Sequence, residues 1–156
     1  MRKFLIFLAA DHAGFDMKDY IKIHLQKNGY QVEDCGAYKY NAEDNYPEFM
    51  LKAAKKVSSN KKSKGIIFGG SGQGEAIVAN KVRGIRAAVY NCKNLDLIRL
   101  SRTHNNANIL SIGARFIGKE HALNAVKLWL STDFSNEPRH KIRLKQIEWL
   151  EKKSCK

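Results

Sequence analysis

The chain has 156 residues, enough for one domain with a proper core, and 44% of them are hydrophobic with only two prolines, which excludes a disordered chain. A formal net charge of +13 raises nucleic acid as a partner. Yet the lysines are scattered (Lys52, Lys55, Lys56, then Lys61, Lys62, Lys64) and no aromatic-studded basic stripe accompanies them, so solubility and attraction of a small anionic substrate explain the charge better.

The apolar run Phe4 to Ala10 is too short for a secretory signal or for the roughly 20 apolar residues of a membrane helix, so it reads as a buried strand of a cytoplasmic protein. Met17, Tyr20, Ile21 and Leu25 then recur at helical spacing, stopped by Gly29. Gln31 to Cys35 reads as a second strand. Pro47 suits the first turn of a helix whose buried stripe is Met50, Ala53, Ala54 and Val57. Gly65 to Phe68 is the third strand, followed by a glycine loop and a helix through Ile77 and Val78. Ile85 to Tyr90 is the fourth strand, and a helix over Leu95, Ile98 and Arg102 follows. Asn108 to Ile112 is the fifth. Ala122, Leu123, Val126 and Leu130 mark one more helix, and Ile142 and Trp149 a last one. Strand–helix alternation repeated in this way predicts an α/β fold, a Rossmann-like three-layer α/β/α sandwich on a five-stranded parallel sheet, spanning residues 1–156 as one domain. Cys35, Cys92 and Cys155 are widely spaced and odd in number, which indicates simple thiols rather than a disulfide framework or a zinc site.

In such sheets ligands collect beyond the carboxyl ends of the strands, where Asp11-His12, the glycine loop and Gly113-Ala114-Arg115 are all expected. The loop, GGSGQGEAIVANK from residue 69, fails both nucleotide fingerprints. The dinucleotide spacing of glycines at i, i+2 and i+5 falls on Glu75 or Ile77 instead. Gly69 and Gly74 have P-loop spacing, but Glu75-Ala76 stands where Lys-Ser/Thr is required. What remains is a nest of N–H groups with a carboxylate at its rim. Such a nest stabilises negative charge that appears during reaction, and Glu75 beside it is a candidate general base for removing a proton from carbon next to a carbonyl. The bland alternative is that Glu75 only favours the helix N-terminus through the dipole. Arg139 and Arg143, four apart in PRHKIR, present two forked guanidiniums on one helix face, which suits a phosphate, or else form a solvated basic face.

Taken together, ADHAGFDMK, NYPEF, GGSGQGEAIVANKVRGIRAA, LSRTHNNANILSIGARFIG and PRHKIR, in this order over nearly the whole chain, resemble the type B ribose-5-phosphate isomerases and the related galactose-6-phosphate isomerase subunits. The resemblance implies an aldose–ketose isomerase, an intramolecular oxidoreductase of the pentose phosphate pathway that needs no metal or other cofactor. It interconverts D-ribose 5-phosphate and D-ribulose 5-phosphate, or else acts on a hexose 6-phosphate. It further implies substrate contacts from Asp11, His12 and Tyr46, and an anion hole from Gly70, Ser71, Gly72, Gln73 and Gly74 that includes the Ser71 hydroxyl. Ring opening falls to His104, a sugar hydroxyl to Asn105, and the phosphate to Arg115, Arg139 and Arg143. The family builds its site between the two subunits of a homodimer, in some cases within a tetramer, and the helix at about 138–152 would contribute to that contact. Many members carry a cysteine base where this chain has Gly69. Another branch uses a glutamate directly after the loop, which Glu75 matches. His24, His121 and His140 read as helix-surface residues without a role. A catalytically inactive basic domain that binds nucleic acid is the competing reading.

Overall fold

Short continuous apolar runs, set between longer segments with apolar residues three and four apart, build two different layers. The computed structural model describes residues 4–154; Cys155 lies outside them. The strands are β1 (Leu5–Ala10), β2 (Gln31–Asp34), β3 (Lys64–Gly69), β4 (Ala87–Tyr90) and β5 (Ile109–Gly113). They form one sheet of order β2-β1-β3-β5-β4, every pair parallel. The helices are α1 (Phe15–Lys27), α2 (Tyr46–Ser59), α3 (Gln73–Ala79), α4 (Leu95–Thr103), α5 (Lys119–Ser131) and α6 (Pro138–Ser154).

Each central strand sends alternate side chains into two separate cores. Ile6, Leu8, Ile66, Phe68, Leu110 and Ile112 meet Met17, Ile21 and Leu25 of α1, Ile98 of α4 and Trp129 of α5 on one face. Phe7, Ala9, Ile67 and Ile109 meet Met50, Ala53 and Val57 of α2 and Ala79 of α3 on the other. This is the expected three-layer sandwich. Element bounds differ from expectation most at β4, which begins at Ala87 rather than Ile85. The Arg86 N–H is taken by the Asn108 side chain at 2.8 Å and the Ile85 N–H by the Val82 carbonyl in a turn, so neither enters the ladder.

A buried cation fixes one end of the sheet. Lys18 of α1 is fully buried and bonds Asp34 of β2 at 2.8 Å, and Asp34 also accepts from Lys22 and from the Gly36 N–H. Burial raises the Asp34 carboxyl, but the bonds from Lys18, Lys22 and Gly36 outweigh it and hold the group below its ordinary value. Cys35 next to it is fully buried, and burial pushes its thiol up to about 11, which keeps it protonated and inert. No described helix is long and apolar enough to cross a membrane.

The last helix departs from the pattern. Its one buried side chain is His140, while Ile142, Ile147, Trp149 and Leu150 are exposed. Glu151 of α6 accepts from the Gly84 N–H, so the helix is tied beside the turn that leads into β4. A concavity of about 880 Å³ lies between α6 and the start of β4, with Ile85, Ala87, Asn105, Ile147 and Leu150 in its wall.

Candidate active site

The residues singled out in the sequence gather at two places, not one. At the carboxyl ends of the strands stand Asp11, His12, the loop from Gly70 to Gly72, the first turn of α3 and Arg115. The loop is firmly held: the Ser111 hydroxyl donates to the Gly72 carbonyl at 2.6 Å, the Asn91 amide to the Ser71 carbonyl at 3.0 Å, and the Arg115 N–H to the Gly70 carbonyl at 3.1 Å. Gly72 sits at φ +79°, a left-handed conformation that lets the chain turn from strand into helix, with the Ser111 carbonyl and the Gly113 N–H each 3.0 Å from where a Cβ would be. The Gln73 N–H donates to the Ser71 hydroxyl at 3.2 Å.

Glu75, in the first turn of α3, does not stand at the rim of this loop as its sequence position suggested. Its side chain folds underneath, leaving the residue 4% exposed, and the carboxylate lies against the end of β3. A Cβ added to Gly69 would overlap Oε1 and Cδ of Glu75 and stand 2.7 Å from its Cγ. The glutamate therefore occupies the volume that a side chain at position 69 would fill. Burial raises the Glu75 carboxyl above its ordinary value, and Asp11 adds to this. The N–H groups of Glu75 and Gly72 and the charge of Arg115 pull the other way without cancelling the rise. Oε2 is buried with no hydrogen-bond partner. A raised, half-satisfied carboxylate on a cradle of amides is poised to take and return a proton.

Around it, Asp11 is buried and accepts from the Gly14 N–H at 3.1 Å. Tyr46 at the start of α2 reaches over the loop, its hydroxyl 2.7 Å from where a Cβ on Gly74 would stand. The Arg115 guanidinium covers Gly70, 3.2 Å from the equivalent point there. His12 is held by Asp44, a residue without a signal in the sequence.

The second cluster lies at the amino ends of the strands. His104 caps the C-terminus of α4, and Asn105 follows it in the loop that enters β5. Two guanidiniums, buried Arg102 and half-buried Arg86, brace this loop. Arg102 donates to the Asn106 side chain and the Ala107 carbonyl, and Arg86 to the Asn105 and Asn106 carbonyls. The N-terminus of α6 packs here as well, bringing Arg139 and Arg143. Arg139 pairs with Glu137 at 3.0 Å in an exposed contact. His140 is not a surface residue as expected. It is 1% exposed, its ring centroid is 4.2 Å from that of His104, and Ser135 meets its Nδ1 at 2.9 Å. Burial, with His104 next, lowers its pKa and favours the neutral ring. His121 is likewise engaged, stacked on Tyr90 and hydrogen-bonded to its hydroxyl at 2.7 Å, and His24 meets the Tyr20 carbonyl at 2.9 Å. The two clusters are separated by the length of β5, five residues or roughly 15 Å.

A doubly wound parallel sheet with a buried carboxylate under an amide-rich loop defines a class of small α/β enzyme sites. The comparisons give that class a family: the chain belongs to the Ribose/Galactose Isomerase family, whose sequence model matches residues 6–147. It is 42% identical over 139 residues to ribose-5-phosphate isomerase B of Mycolicibacterium paratuberculosis, covering 89% of this chain and 86% of that protein. Among solved structures, ribose-5-phosphate isomerase B of Clostridium thermocellum superposes with a TM-score of 0.91 at 43% identity, covering 97% of this chain and 99% of that one. Ribose-5-phosphate isomerase B of Mycoplasma genitalium with bound ribulose-5-phosphate gives a TM-score of 0.92 at 35% identity, with 97% and 99% covered.

Proposed function

We propose that the protein is a ribose-5-phosphate isomerase that interconverts D-ribose 5-phosphate and D-ribulose 5-phosphate through a cis-enediolate, serving the pentose phosphate pathway in the cytoplasm. One observation bears most of the weight: the buried carboxylate of Glu75, raised in pKa, against the glycine loop and beside Asp11 and Arg115.

In this reading Glu75 takes the proton from C2 of the open-chain aldose, and the electron pair moves into a C1–C2 double bond while charge collects on O1. Main-chain amides of the loop receive that charge. The Gly72 N–H already donates to the Glu75 carboxylate and the Gln73 N–H to the Ser71 hydroxyl, which leaves Gly70, Ser71 and Gly74 as the donors. Glu75 then returns the proton to C1, and a proton passes from the O2 hydroxyl to O1, giving the ketose. His104 opens the furanose ring by proton transfer and Asn105 holds a sugar hydroxyl. Asp11, His12 and Tyr46 hold the sugar chain, and Arg115, Arg139 and Arg143 hold the phosphate. No metal or other cofactor enters these steps.

A single chain keeps Glu75 and His104 roughly 15 Å apart, at opposite ends of β5. The site is completed by a second copy of the chain. Ile77, Val89, Leu97 and Leu100 expose an apolar band along the open edge of the sheet at β4, between the two clusters. Two copies packed on this band about a two-fold axis set the amino-end cluster of one against the carboxyl-end cluster of the other, twice over. The exposed apolar side chains of α6 extend the contact in the homodimer. The test is a coupled assay across pentose 5-phosphates and hexose 6-phosphates, with and without chelator. Turnover of ribose 5-phosphate that survives chelation and vanishes in Glu75→Gln supports the reading. A preference for hexose 6-phosphate reassigns the substrate, and turnover by Glu75→Gln removes the base.

A further inference from the structure

Asp44 belongs to none of the sequence stretches that marked the site. It lies in the polar loop ahead of α2, yet its side chain is only 6% exposed. One of its oxygens, Oδ1, accepts twice from a residue 32 positions away: from the His12 backbone N–H at 3.0 Å and from the His12 ring at Nδ1, 2.7 Å away. The second oxygen, Oδ2, is buried without any partner. A loop tie alone would not require an ionised side chain with half its capacity unmet, since that arrangement is costly for stability. The double bond to His12 uses what a carboxylate offers over an amide, an acceptor-only group that forces the proton onto Nδ1.

Building on the isomerase reading above, we propose that Asp44 is the positioning residue for His12: it pins the backbone and the ring together, fixes the Nδ1–H tautomer, and leaves the Nε2 lone pair facing the substrate as a hydrogen-bond acceptor. The His12 side chain is 26% exposed, so the ring keeps an open edge while its other edge is held. Tyr40 meets the same ring edge-on with centroids 6.5 Å apart, limiting its tilt. An acceptor nitrogen accepts a hydrogen bond from a sugar hydroxyl and so selects substrate orientation, and a flipped tautomer would present a donor there instead. The same three residues, Asp11, His12 and Asp44, also bring potential metal-ligating atoms within 4.8 Å of one another. In the proposal a proton, not a cation, occupies the space between His12 and Asp44.

Nitrogen-15 spectra of histidine-labelled, substrate-free enzyme test the tautomer, with the His12 signals assigned by their loss in His12→Gln. The expected result is protonated Nδ1 and unprotonated Nε2 in the wild type, and a shift toward the Nε2–H form in Asp44→Ala. kcat/KM should fall roughly 10- to 100-fold in that variant, as for other partners that orient a functional histidine. Within the His12→Gln background the same change should cost less than about twofold, since only the bond to the residue-12 backbone N–H is then left for Asp44 to make. If Asp44→Ala does not fold, Asp44→Asn supplies the cycle. An Nε2–H tautomer in the wild type, fully additive losses in the double variant, or displacement of the His12 signals by equimolar zinc would each overturn the proposal. Failure of the wild type to turn over any sugar phosphate would instead sink the isomerase reading, while the tautomer measurement would still decide the clamp.

Discussion

Replacing Gly69 with alanine adds one methyl group at the point where the Glu75 carboxylate lies. The new Cβ would overlap Oε1 and Cδ and stand 2.7 Å from Cγ, and the flexible partner in this clash is the glutamate, because Gly69 is held at the end of β3. The carboxylate must therefore move by about an ångström, a displacement that costs on the order of 10²-fold in rate, or about 2.7 kcal/mol of activation free energy. Overpacking should destabilise the fold by about 1–3 kcal/mol, enough to lower the melting temperature by several degrees without unfolding the chain. The coupled isomerase assay should show the loss chiefly in kcat, since Arg139 and Arg143, two of the three arginines proposed to bind the phosphate, lie in the other cluster and only Arg115 stands at this loop. Gly118→Ala is the control: a Cβ there meets nothing within 4 Å, and turnover should be unaffected. A folded Gly69→Ala enzyme with turnover within about threefold of wild type would refute the proposed role of Glu75, because no base survives such a shift at full strength.

Four further outcomes are expected. Glu75→Gln should abolish turnover yet melt no lower than wild type, since it removes a carboxylate whose charged form burial disfavours; differential scanning fluorimetry and the assay together check this. As pH rises through the elevated Glu75 pKa, activity should be gained while the stability held by the protonated form is lost, so the acid limb of kcat/KM should lie above the ordinary glutamate value of about 4.3. Mixing inactive Glu75→Gln and His104→Gln chains, with subunit exchange, should restore about one quarter of the wild-type sites if each site draws on both copies, and none if each chain works alone. Lys18→Met should destabilise by roughly 3 kcal/mol in urea titrations, because Asp34 loses its buried partner. The lowered Asp34 pKa gives the pH sign: the pair's contribution is present above the unfolded carboxylate value and lost as pH falls through the folded one.

The sandwich was legible because its signals are local. Strands such as Ile66 to Phe68 are short continuous apolar runs, and Met50, Ala53, Ala54 and Val57 mark one face of a helix, so run length and helical spacing together separate the layers. The glycine loop was legible because its amides and Glu75 lie within a few residues of one another. What escaped was set by tertiary distance. Nothing within the chain's local pattern links His12 to Asp44, 32 positions away, or His140 to His104, whose rings meet only because α6 folds back onto the end of α4. The volume shared by Gly69 and Glu75 escaped as well: a glycine before a loop reads as backbone freedom, whereas here it makes room for another residue's side chain.

The short run of β5 sets a gauge between the two clusters. Connections that carry no residue of either cluster can lengthen without moving the chemistry, but adding two residues to the strand would push the His104 cluster away from the glycine loop by about 7 Å. In a two-fold assembly that error would strike both pockets at once, since each is spanned by the same measure read in opposite directions. Tolerance to insertion should therefore be high only in the connections away from both clusters and close to nil along the middle of the sheet.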